Sequence, residues 1–63
     1  MSEKRARIAE CRAIAKRIIM ELETALGVEA ALPATMQVLL VIAALERLDN
    51  EILERSRLAR GDE

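Results

Sequence analysis

The chain has 63 residues, 52% of them hydrophobic and 33% charged, with a formal net charge of −1, one Cys, and no Phe, Tyr, Trp or His. A chain of this size makes at most one domain, residues 1–63, and such small domains bury too little surface to be stable without a staple or a partner. The single Cys excludes an intrachain disulfide, and without His no Cys/His ligand set forms within one chain, so no metal or other cofactor is expected. Oligomerisation is the remaining route to stability.

In chain order, the first periodic stretch is Ile8, Cys11, Ala15, Ile18, Leu22 and Ala25, at spacings of three and four. This is the a/d seam of a left-handed coiled coil or bundle, and it predicts a helix over about 3–26. Ser2 suits the N-cap, Glu3 the first turn, and Gly27 the C′ position that ends a helix in the left-handed conformation. Ile14, Ile19 and Leu26 widen the seam, and Cys11 reads as a small core residue. Residues 1–17 carry six basic groups against two acidic ones, whereas residues 18–63 carry four against nine. Arg5, Arg12 and Lys16 share one face of this helix, which is a candidate track for a phosphate backbone. Arg7 with Glu10 reads as a surface ion pair.

A connection over about 27–32 follows, apolar from Val28 to Leu32 apart from Glu29, and so expected to pack as a short turn of helix rather than extend into solvent. The second helix is expected over about 33–58, with Pro33 in the first turn, where a missing N–H costs nothing. Its seam is Val38, Val41, Leu45, Leu48 and Ile52, continuing to Arg55 and Ala59, with Glu51 and Arg55 as a further surface pair. Residues 59–63 should fray. From Met36 to Leu45 the helix is apolar on every side except at Gln37, so a second stripe, Met36, Leu39, Leu40 and Ala43, lies away from the seam. A membrane-surface role is disfavoured, because the flanking polar face lacks the Lys/Arg richness such helices show, and two further readings of that stripe stand side by side. Either the Val28–Leu32 connection, with Met20 and Leu26, folds back over it, or it is a docking patch for another protein or a higher oligomer. The run from Met36 to Leu45, bounded by Pro33 and Glu46, is shorter than the roughly 20 residues a membrane span needs, and no secretory signal pattern precedes it.

The fold class is therefore all-α. Two helices joined by a short connection predict an antiparallel hairpin, and two hairpins that share their seams make a homodimeric four-helix bundle. Small residues at Cys11, Ala15 and Ala25 would then oppose Leu45, Leu48 and Ile52. In the hairpin the basic start of the first helix lies beside Arg55, Arg57 and Arg60, with Asp49, Glu51 and Glu54 partly neutralising that pole.

The hairpin pattern and the segment Arg55-Ser56-Arg57-Leu58-Ala59-Arg60-Gly61-Asp62 resemble the Rop family of plasmid proteins. The resemblance implies a dimeric four-helix bundle that binds paired RNA loops, here through Arg5, Arg12 and Lys16; the Phe of that family's RNA-contacting helix has no counterpart in this chain. Leu48-Asp49-Asn50-Glu51-Ile52-Leu53 is similar to a segment in the first helix of the all-helical chorismate mutases. That enzyme site needs several converging cations, and the seams here are almost wholly aliphatic, so no catalytic residue is assigned. The sequence reads as a cytoplasmic, non-enzymatic regulatory or adaptor protein that self-associates, as a dimer or higher oligomer, and contacts a protein partner. A Rop-like RNA-binding regulator is the alternative.

Overall fold

The computed structural model of the chain describes residues 3–60. It is a hairpin of two packed helices, α1 (Glu3–Leu26) and α2 (Val28–Arg60). The proposed N-cap Ser2 and the tail residues 61–63 lie outside the described residues, while Ala59 and Arg60, expected to fray, continue α2. Ala, Leu, Arg, Glu and Met, all good helix formers, make up most of both helices.

The connection is one residue long. Gly27 adopts φ +88°, the left-handed region in which only glycine is unstrained. Its N–H donates to the Glu23 carbonyl at 2.8 Å, closing α1 in an αL motif, and its own carbonyl accepts from the Ala31 N–H at 3.0 Å, opening α2. Glu29 in the first turn of α2 complements the positive end of the helix dipole. The expected connection over 27–32 is therefore corrected: Val28–Leu32 form the start of α2, and Pro33 lies inside the helix rather than at its head. Having no N–H, Pro33 leaves the Glu29 carbonyl without its usual helical donor.

The helices meet along a narrow line. Ala15 of α1 and Ala31, Thr35 and Ile42 of α2 are buried, Ala31 completely. Ile8, Ile19 and Leu22 flank this line from α1, and Val38, Leu45 and Ile52 from α2, all half-buried. The molecule measures 49 × 17 × 11 Å with a radius of gyration of 15.3 Å, against about 11 Å for a compact domain of this length. It is a single layer of two helices, and one layer encloses no core.

Candidate self-association surface

Two ion pairs close the open end of the hairpin. The Arg5 guanidinium donates from Nε to Asp49 Oδ1 at 2.8 Å and from Nη2 to Asp49 Oδ2 at 3.2 Å, a bidentate clamp between the helices. Arg12 Nη2 donates to Glu46 Oε2 at 3.1 Å. The hydrogen bond from Arg5 holds the Asp49 carboxyl below the usual carboxylate range, and the same contact raises Arg5. Both pairs lie on one face of the layer, beside a shallow groove lined by Ala6, Ile8 and Ala9. Of the three cations predicted to follow a phosphate backbone, Arg5 and Arg12 are thus engaged by α2 carboxylates, and Lys16 is exposed.

These pairs also orient the rest of the surface. Arg5 and Arg12 project from one side of the Ile8–Ala15–Leu22 line, and Glu46 from one side of the Ile42–Asp49 line. Because they meet, the opposite sides of the two lines also adjoin, on the other face of the layer. That face carries Cys11, Ile14 and Ile18 from α1 and Val41 and Leu48 from α2, all exposed.

The predicted seam is accordingly divided in two. Ile8, Ala15, Leu22, Val38, Leu45 and Ile52 pack between the helices, whereas Cys11, Ile18, Val41 and Leu48 face outward as an adjoining strip. Ala31, Thr35 and Ile42 complete the inner line although the three-and-four pattern passes over them. Periodicity could not single them out, because α2 is apolar on nearly every side. The pairing is visible only in the structure, where Arg5 and Arg12, seven apart on α1, reach Asp49 and Glu46, three apart on α2.

The second stripe lies uncovered on the ion-pair side and outer edge of α2. Met36, Leu39 and Leu40 are more than half exposed, and Ala43 is half-buried. The residues expected to fold back over them, Met20, Leu26, Val28 and Leu32, are themselves exposed. The surface pairs expected for Arg7–Glu10 and Glu51–Arg55 do not form among the described residues; Arg57 instead lies 3.7 Å from Glu54. Among the described residues no group of three His, Cys, Asp or Glu side chains is placed to hold a metal.

Since α2 begins at Val28, its apolar stretch is not bounded at Pro33. The segment Val28–Ala59 is long and apolar enough to cross a membrane by length and composition alone, whereas the run from Met36 to Leu45 by itself is shorter than a span. Such a helix is equally a feature of soluble assemblies that bury it against a partner. No family model, curated protein or solved structure matches the chain.

Proposed function

We propose that the chain is a small, cytoplasmic, non-enzymatic regulatory or adaptor protein that acts by pairing with itself and presenting its remaining apolar stripe to a protein partner. One observation carries this reading: the hairpin exposes 5170 Å², whereas a folded monomer of 7.0 kDa exposes about 4000 Å². The excess, about 1100 Å² per hairpin, gives about 2200 Å² for two copies, the area buried by stable homodimers. Much of the surface is aliphatic, including Ile14, Ile18, Val41 and Leu48 on one face.

A bilayer is the competing cover for so apolar a helix. The register set by Arg5–Asp49 and Arg12–Glu46 brings Arg12, Lys16, Arg17, Glu21 and Glu23 of α1 level with the apolar half of α2. Insertion of the intact hairpin would draw those charges inward at about 2.5–3.5 kcal/mol each near the bilayer centre. Self-association covers the same surface and leaves them in water.

The test is a thermal melt across concentration. A self-associating chain melts at rising temperature as concentration increases, and Ile18→Glu with Val41→Glu abolishes that dependence and lowers the melting temperature. Leu39→Glu with Leu40→Glu keeps the wild-type dependence while losing the adaptor contact. A concentration-independent melt, or transfer of the chain into phosphatidylcholine vesicles on flotation, contradicts the proposal.

A further inference from the structure

Arg7, Ile14 and Glu21 stand seven residues apart on α1, and a step of seven returns to nearly the same side of a helix. The line has a cation near the open end, an isoleucine midway and a carboxylate toward the turn. All three residues are exposed, and neither Arg7 nor Glu21 has an ion-pair partner among the described residues of the hairpin. The line runs along the face that bears Ile18, Val41 and Leu48, and the two interhelical ion pairs place Ile14 level with the Val41–Ile42 turn of α2.

We infer that this face docks on a second copy of the chain with the two turns at opposite ends and the two-fold axis passing between the two Ile14 side chains. The inference rests on the self-association proposed above and specifies its geometry. A two-fold interface is isologous, so whatever lies seven residues before the axis meets what lies seven after it. Arg7 of each copy then meets Glu21 of the other, and the contact occurs twice. On α2 the same rotation sets Val41 against its own mate and Leu48 against Ala34 of the second copy, large against small. With both turns at the same end, α1 would instead lie over α2 of the second copy. Arg7 would face Leu48 and Glu21 would face Ala34, so four charges would lose water without gaining a partner. The charge pattern therefore selects the opposed arrangement.

Two measurements test it in the full chain. Ile14→Cys in a Cys11→Ala background forms a covalent dimer on mild oxidation, because only the opposed arrangement brings this position to its own mate. A chain that light scattering shows to be dimeric, yet in which Ile14→Cys crosslinks only when Val41→Cys is also present, overturns the arrangement. Arg7→Glu and Glu21→Arg, both at exposed positions, each weaken dimerisation about tenfold at low salt, and the double variant recovers wild-type affinity to within about threefold. The two positions are about 21 Å apart within one helix, so recovery has to come from contact between copies. A double variant weaker than either single one overturns the inference, whereas a wild-type chain that stays monomeric removes self-association itself.

Discussion

The two halves of the interhelical seam are held by different means. Toward the turn, Ala15, Ala31 and Thr35 bring the helices together through small side chains around a single larger one, Ile42. Toward the open end, Ile8, Leu45 and Ile52 are only half-buried, and two ion pairs, Arg5 on Asp49 and Arg12 on Glu46, join the helices beside them. Small side chains give closeness but bury little area, and partly exposed ion pairs give register but little energy. Neither half builds a core, and the aliphatic side chains that would have made one stand on the outer faces instead.

Substitutions in the turn half should have the largest effects. Ile42→Ala removes the only large side chain in the buried line, and such truncations cost about 2–5 kcal/mol; circular dichroism should show loss of cooperative melting. Gly27→Ala should cost about 1–2 kcal/mol, seen as a lower melting temperature. A Cβ there meets nothing within 4 Å, so the penalty comes from φ +88° alone. Thr35→Val should act in the opposite direction. The buried Thr35 hydroxyl has no hydrogen-bond partner among the described residues, so replacing it with an isosteric methyl should raise stability by about 1 kcal/mol.

The open half should respond least, and through pH and salt. Asp49 is held low by Arg5, so its contribution is fully present above the ordinary carboxylate pKa near 4 and is lost as pH falls through the lowered folded value. Melts from pH 7 downward should show this loss in the wild type and not in Asp49→Asn. Raising the salt concentration should narrow the difference between the two proteins at neutral pH.

The two helices and the turn glycine were legible in the sequence because each has a local cause. Seam spacing marks α1, and the left-handed C′ position calls for Gly27. The head of α2 was legible only in part: the apolar Val28–Leu32 suggested a helical turn, but Pro33 is the usual mark of a helix start, and only the one-residue turn explains why Val28–Leu32 are continuous with α2. The inner line of α2 was hidden for a different reason: where Val38, Leu39, Leu40, Val41 and Ile42 follow one another, periodicity carries no direction. The Arg5–Asp49 and Arg12–Glu46 pairs resolve it in the structure by fixing which side of α2 faces α1. For the surface, the pattern correctly implied surplus apolar area, but which seam residues face outward depends on that same orientation.

Light scattering coupled to size exclusion at micromolar concentration decides whether the chain pairs with itself. Self-association predicts a molar mass of twice the 7.0 kDa chain, or a higher multiple of it. A folded, helical species at the mass of one chain would show that the hairpin is stable without a second copy.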